Sequence, residues 1–259
     1  MAVTRKSRAE IEKMRRAGRI VAEVLALLEE ELHPGVSTAQ LDSIAERHIR
    51  AAGATPSFKG YLGGGRYGRG PTAFPASVCI SLDDEVVHGI PGERTLREGQ
   101  IVSIDAGVIV DGWHGDAART FIVGEGSPDA QRLVETTRLA MMAGIAAAVA
   151  GNRIGDIGSA IEEVAHGGPY GIVRQFVGHG IGTSMHEDPQ VPNFRSGSRG
   201  LQLAPGICLA IEPMLTIGRE DVYIKRDGWT VATRDGSPAA HFEHTIAVTD
   251  SGPQILTTV

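Results

Sequence analysis

Apolar residues recur over the first thirty positions with the spacing of a helix. Ile11, Met14, Ile20, Val21, Val24, Leu25 and Leu28 fall on one face. Ser7, with Glu10 three residues later, predicts a capping box ahead of them, and His33-Pro34-Gly35 ends the run. Ser37 with Gln40 predicts a second capping box; Leu41, Ile44, Ala45, His48 and Ile49 form the apolar face behind it, and Gly53 closes that helix. From Gly60 to Gly70 the chain is rich in Gly and Arg, has no periodicity, and reads as a mobile loop. The period then changes to two. Ser77 to Leu82, Ile101 to Val110 and Trp113 to Val123 are predicted strands, the last two joined by Asp111-Gly112, a strong two-residue hairpin signal. Ser127-Pro128 opens an Ala-rich helix ending near Gly151, and a shorter helix follows from Ile154 to Ala165. Gly-rich strands and loops complete the chain: Gly178 to Gly182, Ile207 to Leu215, Tyr223 to Thr233 and His241 to Val248.

A long helix, a Gly-containing turn and a short helix thus occur at 10–53 and again at 128–166, which points to two similar halves. No linker separates them, so the expectation is one α+β domain over residues 1–259, with strands of both halves in a shared sheet and residues 1–9 as a flexible start. The composition agrees: 42% of the 259 residues are hydrophobic and 22% charged, as in folded water-soluble domains. A net charge of −6 argues against a dedicated nucleic-acid binder. The most apolar stretch, residues 139–151, is short of the roughly 20 residues that span a bilayer. Glu10 and Glu12 follow the basic Arg5, Lys6 and Arg8 where a secretory signal would be apolar. Cys79 and Cys208 sit in apolar runs and read as buried reduced thiols of a cytoplasmic protein. Gly63, Gly65 and Gly68 match a GxGxxG string, but no strand precedes it and Pro71 and Pro75 follow, so it is not read as a nucleotide site.

The hairpin carries the first chemistry. A two-residue turn at Asp111-Gly112 pairs Val110 with Trp113, and so sets Asp105 opposite Ala118 and Asp116 opposite Gly107. Alternation then puts Asp105 and Asp116 on one face as diagonal neighbours, about 7–8 Å apart in the backbone. Ile101, Val102, Ile104 and Ile122 flank them. Two carboxylates in an apolar setting are costly without a positive partner, and a pair of divalent cations would fit between them; a solvated sheet face with two unrelated aspartates is the other reading of the hairpin alone. Further along, Glu212 and Glu243 each interrupt a strand that otherwise reads as core, and His179 lies in Gly178-His179-Gly180-Ile181-Gly182, where glycines allow backbone to approach a site. Such an oxygen-rich set with one His suits Mn, Fe(II), Co or Zn better than a sulfur-ligated tetrahedral site does.

Six strings taken together resemble the type I, bacterial-type methionine aminopeptidases: Val86-Val87-His88-Gly89-Ile90-Pro91, Asp105 with Asp116 eleven residues on, the Gly178 to Gly182 run, His186-Glu187-Asp188-Pro189, Ile211-Glu212-Pro213-Met214 and Phe242-Glu243-His244-Thr245. They occur in that family's order and spacing, from about residue 7 to 250. The resemblance implies the pita-bread fold, with pseudo-twofold halves and a shared antiparallel sheet flanked by helices. It implies two divalent cations (Co, Mn, Fe(II) or Zn) held by Asp105, Asp116, His179, Glu212 and Glu243, with Asp116 and Glu243 bridging. It makes His88, His186 and Glu212 the catalytic residues: Glu212 moves the proton, His88 contacts the peptide near the scissile bond, and His186 stabilises the tetrahedral intermediate. Phe74, Cys79, Met185 and Trp229, with His88 and His186, are the candidates for substrate binding.

The implied activity removes the N-terminal methionine of nascent polypeptides when the second residue is small and uncharged. It would be carried out by a cytoplasmic monomer with no nucleic-acid or membrane site, a transient ribosome contact being left open. Two departures stand out. The segment between Gly60-Tyr61 and Phe74-Pro75 is longer than the compact bacterial pattern, and Met185 stands where relatives often carry Phe before the second active-site His. A pita-bread peptidase with a dipeptide or proline preference, which would carry a longer N-terminal domain, and a catalytically inactive binding protein of that fold are the competing readings.

Overall fold

The computed structural model describes residues 3–62 and 73–259; the glycines of the GxGxxG string and most of the expected 60–70 loop lie outside them. Both predicted capping boxes form. Ser7 accepts from the Glu10 amide while the Glu10 carboxylate accepts from the Ser7 amide, opening α1 (Arg8–Glu30), and Ser37 with Gln40 opens α2 (Thr38–Ala51) in the same way. Ser127 caps α3 (Pro128–Ala147), with Pro128 in the first turn, and α4 covers Ile154–Ala165. In the segment expected to be a flexible start, Arg5 Nε donates to the Pro205 carbonyl, and the Lys6 ammonium lies 2.7 Å from Glu187, nearly buried.

The strands of both halves join one antiparallel sheet. Its order is Thr55–Pro56, Ile101–Val110, Trp113–Ile122, Glu243–Thr249, Cys208–Ile211, Gly178–Gly180 and Glu187–Val191; Val78–Leu82 also pairs with Ile101–Val110, and Gly252–Ile255 with Glu243–Thr249. The hairpin has the register that its turn predicts, Asp105 opposite Ala118 and Gly107 opposite Asp116. Alternation divides the sheet into two faces. Val102, Ile104, Ala106 and Val108 pack with Val21, Val24, Leu25 and Leu28 of α1 and Leu41, Ala45 and Ile49 of α2. In the other half Leu209, Ile211, Ile246 and Val248 pack with Leu133, Ala140 and Met141 of α3 and Ile157 and Ile161 of α4. Each helix pair therefore covers the same side of its own half of the sheet, and the opposite side is left for Asp105, Asp116 and their neighbours.

The two late strands depart from the pattern read along the chain. Ile207 to Leu215 is broken at Glu212-Pro213, and His241 to Val248 is broken at Phe242. Cys208–Ile211 and Glu243–Thr249 belong to the large sheet, whereas Met214–Thr216 and Ala239–His241 form a second, three-stranded sheet with Gly171–Ile172. The physical reason is Pro213, which has no N–H for the ladder and turns the ribbon. Register is kept through the corner: Ile211 faces His244 before it and Met214 faces His241 after it, so Glu212 and Glu243 face each other across the bend. Tyr223 to Thr233 likewise resolves into Val222–Ile224 and Val231–Thr233. The turn between them is built by Asp227, whose carboxylate accepts from the amides of Trp229 and Thr230.

The long α1 sits close on the sheet because glycines meet there. A Cβ at Gly115 would lie 2.6 Å from the Gly18 nitrogen, and a Cβ at Gly18 would strike the Leu256 carbonyl. Gly115 adjoins Asp116 but points to the helix side. Gly115→Ala should therefore push α1 outward and cost on the order of 1–3 kcal/mol, read as a lowered Tm. An unchanged Tm would mean that helix and sheet are not in the close contact described.

Candidate metal centre and active site

On the side of the sheet away from the helices, directly opposed residues form two adjacent rows. One runs Asp105, Ala118, Glu243, with Glu212 beyond it at the corner. The next runs Gly107, Asp116, Thr245, Ala210, His179. The Thr245 hydroxyl is bonded to both the amide and the carbonyl of Asp116, which joins the two halves within this row. Acidic or imidazole side chains thus alternate with the small residues Gly107, Ala118 and Ala210, so the rows enclose space instead of filling it.

Asp116, His179 and Glu243 are only 3%, 3% and 2% exposed, and one ligand atom from each lies within 4.8 Å of the other two. Glu212 Oε1 is 3.4 Å from His179 Nε2, and Glu212 Oε2 is 3.8 Å from His241 Nε2. Asp105 Oδ1, Asp116 Oδ1 and Glu243 Oε1 are buried without a hydrogen-bond partner among the described residues. Burial first, then mutual repulsion, pushes Asp116, Glu212 and Glu243 well above the usual carboxylate range; burial alone raises Asp105, to about 7, against a lowering hydrogen bond from Asp116. A cluster so starved of positive charge fits divalent cations: hard oxygen donors, one imidazole, and orphaned acceptor atoms aimed at a common space. His179 is prepared for that use. Its Nδ1 lies 2.8 Å from the Gly180 carbonyl oxygen, which can only accept, so Nδ1 carries the proton and Nε2 presents its lone pair.

All the residues singled out in the sequence line one cleft with an empty volume of about 720 Å³: His88, Asp105, Asp116, His179, His186, Glu212, Glu243, Phe74, Cys79, Met185 and Trp229. His88 reaches it from a left-handed backbone, φ 59°. The next residue, Gly89, donates to the Ser81 hydroxyl and accepts from the Ile80 amide, and a Cβ there would collide with the Ile80 carbonyl. Burial lowers the pKa of His88 to about 4 and that of His186 to about 2, so both rings are neutral near pH 7. The His186 ring lies tilted at 51° to that of His179, ring centroids 4.3 Å apart. The adjoining Glu187 is held by Lys6 and by the Ser184 amide.

The apolar end of the cleft is a cluster of its own. Phe58, Phe74, Ala76, Cys79, Met185 and Trp229 pack together, with Phe74 edge-on to both Phe58 and Trp229 at 6.4 and 5.3 Å. Met185 reaches over Gly107: a Cβ there would sit 2.9 Å from the Met185 methyl. Cys79 pairs with Asp105 across the strands, and burial holds its thiol well above its usual pKa; Cys208 is buried elsewhere, and both are free thiols. Sequence reasoning did not single out Phe58, Tyr61, Phe176 or Met214, which also line the cleft. It also passed over His241, although period-two alternation from Glu243 would have placed it on the same side.

Comparison with known proteins agrees with this geometry. Residues 12–250 match metallopeptidase family M24. The chain is 50% identical to a methionine aminopeptidase of Clostridium acetobutylicum, with 97% of each protein covered. It is likewise 50% identical to methionine aminopeptidase 1 of Mycobacterium tuberculosis, covering 98% of this chain and 95% of that one. The crystal structure of methionine aminopeptidase from Thermotoga maritima superposes with a TM-score of 0.93 at 39% identity over the whole of both chains. The prolidase of Pyrococcus furiosus, 22% identical with a TM-score of 0.78, shares the fold alone over 65% of its length. The fold is thus the pita-bread fold, and the chain belongs to metallopeptidase family M24, among its methionine aminopeptidases.

Proposed function

We propose that this enzyme uses two divalent cations to remove the N-terminal methionine of nascent polypeptides whose second residue is small and uncharged. The observation that carries the reading is the juxtaposition of the buried acid cluster with an apolar, aromatic-rich cluster in one cleft. Asp105, Asp116, His179, Glu212 and Glu243 would hold the cations, with Asp116 and Glu243 shared between them; Mn, Co, Fe(II) and Zn suit the donors. When bound, the cation pair acidifies water and polarises a carbonyl oxygen. Glu212, at the sheet corner, accepts the proton released and returns it to the leaving amine. The neutral His88 and His186 act on the substrate as hydrogen-bonding groups, His88 near the scissile bond and His186 on the oxygen that becomes negative. The pocket of Phe58, Phe74, Cys79, Met185 and Trp229 takes the thioether side chain, and the flexible Met185 suits an unbranched one. Such an enzyme would act in the cytoplasm as a single chain; no described helix is long and apolar enough to cross a membrane.

Metal content separates the ligand roles from the substrate roles. Chelation should abolish activity, and Mn(II), Co(II) or Fe(II) should restore it. Asp116→Asn should lose much of its metal. His186→Ala and His88→Ala should keep metal and fold while kcat falls by roughly 10²–10³. If His186→Ala loses metal as completely as His179→Ala, the division of roles is wrong.

Peptide specificity tests the pocket. Met-Ala and Met-Gly peptides should be cleaved and Met-Lys or Met-Leu peptides far more slowly, because the second side chain meets the walls carrying His88 and His186. One methylene in an apolar pocket is worth only ~1–3 kcal/mol, so norleucine should replace methionine. Met185→Phe should alter KM more than kcat. Equal kcat/KM on Met-Ala and Leu-Ala tripeptides would exclude a methionine pocket.

A further inference from the structure

His179 and His186 are neighbours on the wall of one cleft, yet their Nδ1 atoms face opposite kinds of partner. The Nδ1 of His179 faces a backbone carbonyl, an obligate acceptor, 2.8 Å away. The Nδ1 of His186 faces the phenolic oxygen of Tyr61, also 2.8 Å away. A phenol can donate, and it is the only kind of partner of the two that lets a neutral imidazole accept at Nδ1. A neutral ring that accepts at one nitrogen carries its proton on the other. The Gly180 carbonyl thus leaves His179 with its lone pair at Nε2, whereas the phenol, which can donate or accept, permits an Nε2–H at His186.

We propose that Tyr61 is a positioning residue that donates its hydroxyl proton to His186 Nδ1 and so fixes His186 as the Nε2–H donor toward the oxygen of the substrate on which negative charge develops. The inference rests on the substrate role given to His186 above. The surroundings hold the pair in place. Tyr61 is anchored through its backbone, its amide donating to the Phe58 carbonyl and its carbonyl accepting from the Phe74 amide, and the rings of Tyr61 and His186 lie 5.6 Å apart. On the other side, the Lys6–Glu187 ion pair fixes the residue next to His186. With the opposite tautomer, His186 Nε2 would direct a lone pair at a developing anion, which repels it.

The test reads the tautomer directly. In zinc-loaded protein labelled with ¹⁵N-histidine, long-range ¹H–¹⁵N correlation spectra, with His186 assigned by its loss in His186→Gln, should show His186 protonated at Nε2 and unprotonated at Nδ1. In Tyr61→Phe, which keeps the ring and should keep the Tm, that pattern should give way to a mixture of tautomers. The kcat on a Met-Ala-Ser peptide should fall about 10-fold, the scale of one lost neutral hydrogen bond, with KM little changed. A wild-type His186 protonated at Nδ1 would overturn the proposal whatever Tyr61→Phe does to activity. So would a Tyr61→Phe enzyme that keeps both the Nε2–H pattern and the wild-type kcat. Were the wild-type chain inactive on Met-Ala-Ser, the proposed substrate would be wrong, while the tautomer would still be decided by the spectra.

Discussion

Four carboxylates within reach of one another, Asp116 and Glu243 buried and Asp105 and Glu212 half-buried, are the constraint around which this molecule is built. Asp105, Asp116, Glu212 and Glu243 cannot all be charged in a dry site unless positive charge joins them, because desolvation and mutual repulsion both act against ionisation. Among the described residues, the Lys6 ammonium is committed to Glu187, and both Lys225 and Arg94 to Glu85. The one basic side chain in the group of Asp116, His179 and Glu243 is His179, and burial keeps it neutral, with a pKa of about 4. Bound divalent cations would supply the compensating charge, and the carboxylate oxygens left without a partner among the described residues mark where it would sit.

Sheet geometry is what allows such a cluster to form without collapsing. The acidic and imidazole side chains of the two rows alternate with Gly107, Ala118 and Ala210, and the helices that supply the apolar core all lie on the other side. The corner at Glu212-Pro213 and Phe242 then brings in the remaining acids, since register is preserved through the bend and Glu212 meets Glu243. The same alternation makes the apolar end of the cleft continuous with the acid cluster. Gly107 leaves room for the Met185 methyl, and Cys79 stands directly across from Asp105.

Much of this was legible before the structure, and the reasons differ by residue. The shared face of Asp105 and Asp116 followed from a two-residue turn and period-two alternation, both local rules, and the hairpin register agrees with them. Glu212, Glu243 and His179 stood out because charge or glycine interrupted apolar runs. What the pattern could not give was the corner: each late strand read as one element, because a hydrophobic run does not say which sheet each part of it joins. Nor could it place Phe58 or Tyr61 in the cleft. Tyr61 meets His186 across 125 positions, and no local periodicity connects them. The aromatic pocket was named in part through resemblance, and Phe58 escaped because a lone Phe beside a Gly-rich stretch carries no signal of its own.

The central claim is that the acid cluster exists to hold two cations in fixed positions. Anomalous diffraction at the manganese edge, from crystals grown with Mn(II), tests it most directly. Two peaks roughly 3.5–4 Å apart are expected, with Asp116 and Glu243 reaching both, Asp105 on one, and His179 and Glu212 on the other. No peak among these residues in active, manganese-supplied protein, or ions held entirely by other side chains, would contradict the account.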